Sequence, residues 1–248
     1  MKKISLFFLT VFLVFSCKEK VTKDTELLET TVKTDSSEAW EVLFDGSNMD
    51  QWTAYSKKTT SPHWKLEDGA MVFYPPSKDE NPEGKSFNLL TKSEYTDFIL
   101  SLEWKISKGG NSGIFWGVKE IPTLIEAYQT GPEIQILDNQ RHPDAKAGNT
   151  HQAGALYDLV PPSKDVTKPA GEWNSCVVMV NHKTNKGSVV LNGVTITEFP
   201  VNNPEWGAMV AKSKFATWPH FGKYTKGKIG LQDHRDMVSY RNIKIQKL

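Results

Sequence analysis

The sequence predicts an all-β domain, a β-sandwich or jelly roll with one or two short helices, on three observations. Turn-forming Gly, Pro, Asn and Asp recur at short intervals through the body of the chain. The segments between them alternate apolar and polar residues instead of repeating at helical spacing. Two turns are tight-hairpin dipeptides, Asp68-Gly69 and Asn192-Gly193, each flanked by strand-forming residues: Trp64-Lys65-Leu66 and Met71-Val72-Phe73 around the first, Val189-Val190-Leu191 and Thr195-Ile196 around the second.

Beyond the hairpins, strands are expected over 98–106, 113–118, 133–137, 153–157, 175–180, 229–232 and 238–245, a number that suits a sandwich or jelly roll. One helix is expected after Asn203, because Pro204 fits a first helical turn and Trp206, Met209 and Val210 fall on one face.

The first 16 residues read as an export signal. Lys2 and Lys3 precede an apolar run from Ile4 to Phe15 that is too short to span a bilayer, and small Ser16 stands before Cys17. Val14-Phe15-Ser16-Cys17 resembles the bacterial lipobox, which implies cleavage before Cys17 and diacylation of its thiol. Two acyl chains anchor stably, so the expected address is a membrane of the bacterial cell envelope, the outer membrane first among them. Residues 17–39 are then a lipidated cysteine and a tether, since 18–39 mixes Lys, Glu, Asp, Thr and Ser without Gly, Pro or aromatic residues. The folded domain is expected over 40–248. With Cys17 lipidated, Cys176 has no disulfide partner.

The net charge of +1, with lysines scattered among acidic residues, gives no basic stripe for nucleic acid, which is not an expected partner. No GxSxG elbow, P-loop or HExxH motif is present, and Cys176 lies in an apolar strand that disfavours a thiolate.

Side chains two apart on a strand share a face. In 100–106 the leucines, Trp104 and Ile106 form an apolar face, with Ser101, Glu103 and Lys105 opposite. In 133–136 the isoleucines oppose Glu133 and Gln135, and near the C-terminus Ile229 and Leu231 oppose Gln232 and His234. Two readings of this polar face stand: the solvated side of a sandwich, or a cleft in which Glu103, Glu133, Gln135, Gln232 and His234 converge for acid and base chemistry. Gly109, Gly110, Gly113 and Gly117 around Asn111 and Trp116 favour the cleft, since strand glycines often mark close approach of a ligand, although Trp116 also fits the core. The stretch 138–152 holds His142, Asp144 and His151, the right residue types for a metal. Their spacing matches no recognised site, which favours an ordinary polar loop.

These residues sit among motifs that resemble, in order, the 3-keto-disaccharide hydrolase domain family of bacterial lipoproteins. The motifs are Leu43-Phe44-Asp45-Gly46, Asn111-Ser112-Gly113-Ile114, Glu133-Ile134-Gln135-Ile136-Leu137-Asp138, Gly154-Ala155-Leu156-Tyr157-Asp158, Gly171-Glu172-Trp173-Asn174 and Gly230-Leu231-Gln232-Asp233-His234. The resemblance implies a concanavalin A-like jelly roll and cleavage of 3-keto-glycosides or disaccharides: removal of the C2 proton, elimination of the glycosidic oxygen and hydration. It implies Glu133 and His234 as base and acid in either order. Gln135, Gln232, Lys105 or a divalent ion then serves the enolate, with Asn111, Trp116 and Tyr157 as further substrate contacts. One departure is Arg235, where many relatives are expected to carry glycine. Two other readings are a retaining glycosidase using Glu103 and Glu133, and a non-catalytic carbohydrate-binding module.

Overall fold

A computed structural model describes residues 39–248. The export segment, Cys17 and all of the tether but Ala39 lie outside the described residues. In chain order the strands are β1 (Glu41–Phe44), β2 (Trp52–Ala54), β3 (Trp64–Glu67), β4 (Ala70–Phe73), β5 (Leu89–Thr91), β6 (Phe98–Ile106), β7 (Asn111–Val118), β8 (Glu133–Leu137), β9 (Asn174–Asn181), β10 (Lys186–Leu191), β11 (Val194–Pro200), β12 (Lys228–Leu231) and β13 (Val238–Lys247). One α-helix, α1 (Pro204–Val210), lies between β11 and β12, its Asn203 cap accepting a hydrogen bond from the Trp206 amide and Trp206 and Val210 buried beneath it.

The strands form two sheets, and every pairing is antiparallel. The larger runs β11-β10-β9-β6-β13-β4-β3, with β1 also on β13; the smaller runs β2-β5-β12-β7-β8. Both expected hairpins form. Glu67 pairs with Ala70 and Leu191 with Val194, and all four turn residues take positive φ, the two-residue turn whose twist matches that of the strands. The sheets pack through their apolar faces in a β-sandwich of the jelly-roll class. Leu100, Leu102, Trp104 and Ile106 of β6 meet Ile114 and Trp116 of β7, Ile134 and Ile136 of β8, and Ile229 and Leu231 of β12 in one core. Trp52, Trp104, Tyr240, Phe73 and Phe98 are fully buried there, each worth on the order of 1.5–3 kcal/mol of transfer free energy. Cys176 lies in the same core, where burial pushes its thiol up to about 12.

The expected strand over 153–157 does not form. Gly154 and Asp158 adopt positive φ, and the segment turns on itself, leaving isolated bridges from Leu156 to Ile134 and Val160. It nevertheless covers the free edge of β8: the Gly154 amide donates to the Gln135 carbonyl, Gln135 to the Ala155 carbonyl and Tyr157 to the Glu133 carbonyl. This docking sets Tyr157 beside Glu133.

Candidate active site

Because the apolar residues of β7, β8 and β12 face the core, the alternate residues of the smaller sheet face outward. Glu133 and Gln135 of β8, Asn111 of β7 and Gln232 just past β12 line one open cavity of about 300 Å³. Gly113, opposite Gln135, is what lets Glu133 lie against the sheet: a Cβ built there would collide with the Glu133 carboxyl. The strand glycine thus makes room for the protein's own carboxyl.

Beyond β12 the backbone turns sharply, His234 and Arg235 taking positive φ, and His234 comes back over the cavity. Arg235 at φ +62 occupies the conformation glycine prefers, in accord with the glycine expected there. The turn is held by the Asp236 carboxylate, which accepts from the Asn111 amide, and by Ser112, whose hydroxyl lies 2.6 Å from the Gln232 carbonyl and 2.7 Å from the Tyr240 hydroxyl in the core below.

Burial raises the Glu133 carboxyl from an ordinary 4.5 to about 8, against the opposing pull of the His234 and Lys214 cations, while Asp144 adds to the rise. A carboxylate with such a pKa is a far stronger base than an exposed one. His234 is about half exposed. Its partial burial disfavours the imidazolium, but Asp236, with an oxygen 3.9 Å from Nδ1, and the charge of Glu133 outweigh that effect and raise its pKa above the ordinary 6.5. The pair therefore sets a strengthened base beside a histidine that holds its proton closer to neutrality.

Three side chains of the cavity carry a buried amide oxygen with no hydrogen-bond partner: Asn111 Oδ1, Gln135 Oε1 and Gln232 Oε1. An unpaired buried acceptor costs about 1–3 kcal/mol, and these three are grouped on residues that line this one cavity. An aromatic wall faces them. Phe215 stacks on Phe221 at 3.8 Å, and Trp218 packs edge-on to both and 5.9 Å from Tyr128, giving apolar surface suited to a sugar ring face.

Asp144 and His151 join this site as supports. The two nitrogens of His151 face Asp144 at 2.8 Å and Asp158 at 3.1 Å, and the Tyr157 hydroxyl lies 3.4 Å from the second Asp144 oxygen. Both ring nitrogens are engaged within the protein, and His142 Nδ1 accepts from the Asp144 amide. Among the described residues no three His, Cys, Asp or Glu side chains group as metal ligands. Lys214 lies 4.0 Å above the Tyr157 ring and brings an ammonium group to the cavity.

Three expected site residues lie elsewhere. Glu103 and Lys105 project from the larger sheet on its far side from the core, so they face away from the outer surface of β8. There Glu103 receives hydrogen bonds from Arg241 and Asn242, and Lys105 lies over the Trp173 ring. A two-carboxylate site built on Glu103 and Glu133 is thereby ruled out. Trp116 differs in parity from Asn111, so the pleat turns it inward, where it stacks on Phe199. Lys214, Phe215 and Trp218, which sequence patterning missed, come from the loop after α1. Their only signal was an aromatic density, Phe215, Trp218 and Phe221, without strand or helix period.

Residues 39–246 match the family profile described as a 3-keto-alpha-glucoside-1,2-lyase-like domain. The chain belongs to this family. A curated relative, the 3-keto-disaccharide hydrolase of Bacteroides thetaiotaomicron, is 36% identical over 228 residues, spanning 83% of this chain and 77% of its own. A crystal structure of a candidate glycosyl hydrolase from Parabacteroides distasonis superposes with a TM-score of 0.75 at 29% identity, over 84% of this chain and 94% of its own. A Bacillus subtilis protein with a galectin-like fold, 12% identical with a TM-score of 0.52 over 84% of this chain and 94% of its own, shares the fold alone. Membership in the lyase-like family and the cavity on the smaller sheet thus fall on the same stretch of chain.

Proposed function

We propose that this protein cleaves the glycosidic bond of 3-keto-glycosides, disaccharides among them, by elimination followed by hydration. The observation that carries the proposal is the buried Glu133, whose carboxyl is raised to about 8, in one cavity with His234. A C3 ketone acidifies the C2 proton, and ionised Glu133 is a base strong enough to take it. The electrons of the C2–H bond pass into an enolate whose C3 oxygen is met by the Lys214 ammonium. Collapse of the enolate forms the C1–C2 double bond and breaks the C1–O bond, and protonated His234 gives its proton to the departing oxygen. Water then adds its oxygen to C1 and gives its spare proton to His234, while Glu133, its proton exchanged with solvent, returns a proton to C2, so that the sum is hydrolysis and both residues regain their starting states.

The amide oxygens of Asn111 and Gln135 each accept a hydroxyl proton of the keto ring, and the Trp218 side covers its apolar face. The names of the relatives support the same substrate class. The proposed address is the cell envelope, with the diacylated Cys17 holding the enzyme on a membrane. Parallel incubation with a 3-keto-disaccharide and its unoxidised parent tests the reading. Release of the leaving sugar from the keto form alone is expected; cleavage of the unoxidised parent at a similar rate refutes it.

A further inference from the structure

A second polar cavity of about 300 Å³ adjoins the first and shares Tyr128, Gln232 and His234 with it. We propose that this second cavity seats the departing sugar, a neutral hexose, a reading that rests on the function above.

His234, the proton donor to the departing oxygen, stands at the junction, so a glycosidic bond placed there has the keto ring over Glu133 on one side and the departing group on the other. The floor of the second cavity is ordered before any ligand arrives. Ser86 donates to Asp233 at 3.0 Å, the Asp233 amide donates to Asn88 at 3.1 Å, and the Asn88 amide nitrogen lies 3.3 Å from Glu126. Asn88 and Asp233 are almost wholly buried. Burial is the main influence on both Glu126 and Asp233 and raises their carboxyls toward the proton-bearing form. Such a floor of hydroxyl, amide and acid groups matches the rim of a neutral sugar.

Gln232 supplies an independent observation. The residue borders both cavities, and its buried amide oxygen has no hydrogen-bond partner. Arg235 closes the outer rim by donating from Nη2 to the Gly84 carbonyl at 2.9 Å. Its positive φ makes glycine the substitution that the backbone accepts most easily.

The test compares the wild-type protein with R235G on three substrates that share one keto ring: a disaccharide with a neutral hexose departing, a methyl glycoside, and a disaccharide with a uronic acid departing. We expect the wild-type KM to be about tenfold lower for the neutral disaccharide than for the methyl glycoside, the worth of one hydrogen bond to the departing sugar. R235G narrows that gap, and the uronic acid substrate shows a lower kcat/KM than the neutral one. Equal KM values for disaccharide and methyl glycoside, with R235G moving both by the same factor, overturn the inference. If no keto substrate turns over, the proposed function fails. Calorimetric titration with free glucose then decides the cavity separately: binding weakened in R235G supports it, and no binding in either protein overturns it.

Discussion

Replacing Glu133 with Gln should destroy activity and stabilise the fold, and the stabilisation should grow with pH. Gln matches the protonated carboxyl in size and lack of charge, so the variant removes only the cost of ionising a buried acid. The sign follows from linkage. Burial raises the folded-state pKa from 4.5 to about 8, so below pH 4.5 both states hold the proton and the group is neutral to stability. Between pH 4.5 and 8 the unfolded chain ionises while the folded one does not, and wild-type stability falls; above pH 8 the deficit is constant. As an upper bound, the deficit relieved in Glu133→Gln is about 1 kcal/mol at pH 5, about 3 at pH 7 and about 5 at pH 9, worked from that shift. For a domain of this size each kcal/mol moves Tm by about 2–4 °C. Differential scanning calorimetry at the three pH values should show a Tm gap of a few degrees at pH 5 that widens to about 10 °C or more at pH 9. Turnover of a 3-keto-glycoside should fall by about 10³-fold or more. A gap that is absent, or that does not grow with pH, refutes the buried, proton-holding carboxyl on which the mechanism depends.

Glu133 can also be displaced without being replaced. Gly113→Ala puts a methyl group into the space its carboxyl occupies, and kcat should fall about 10²-fold with the fold retained by circular dichroism. Lys214→Met should lower kcat by about 10²–10³-fold with little change in Tm, because the side chain is exposed and serves the enolate rather than the core. In His234→Gln the loss should depend on the departing group: large for a sugar, which needs a proton, and small for an aryl group of low pKa. An equal loss for both would show that His234 does not protonate the departing oxygen.

Alternation along single strands was enough to bring Glu133, Gln135 and Gln232 to one face, because the pleat forces every second side chain to one side, whereas His234 reaches the same cavity through the positive-φ turn after β12, which alternation does not describe. It could not say which sheet a strand joins. Glu103 obeys the same rule on β6, yet β6 lies in the larger sheet, and a face argument without pairing information merges two opposite surfaces. Trp116 was misplaced by proximity in sequence to Asn111, where parity alone would have turned it inward. The segment around Tyr157 resembles a strand in composition, but Gly154 and Asp158 at positive φ fold it into a clasp on β8, a preference hidden until the edge it covers is known. Lys214, Phe215, Trp218 and Phe221 come from the loop after α1, where the Lys214 amide meets the Asp158 carboxylate, and no local period announces such residues.

Deuterium incorporation tests elimination most directly. The protein is incubated with a 3-keto-disaccharide in D₂O, quenched early, and the released keto-sugar compared by NMR with the same sugar held in D₂O without protein. Deuterium at C2 of the product should exceed that control, because the C2 proton leaves on Glu133 before the glycosidic bond breaks and its replacement is drawn from solvent. Released product that retains hydrogen at C2 throughout turnover would contradict elimination.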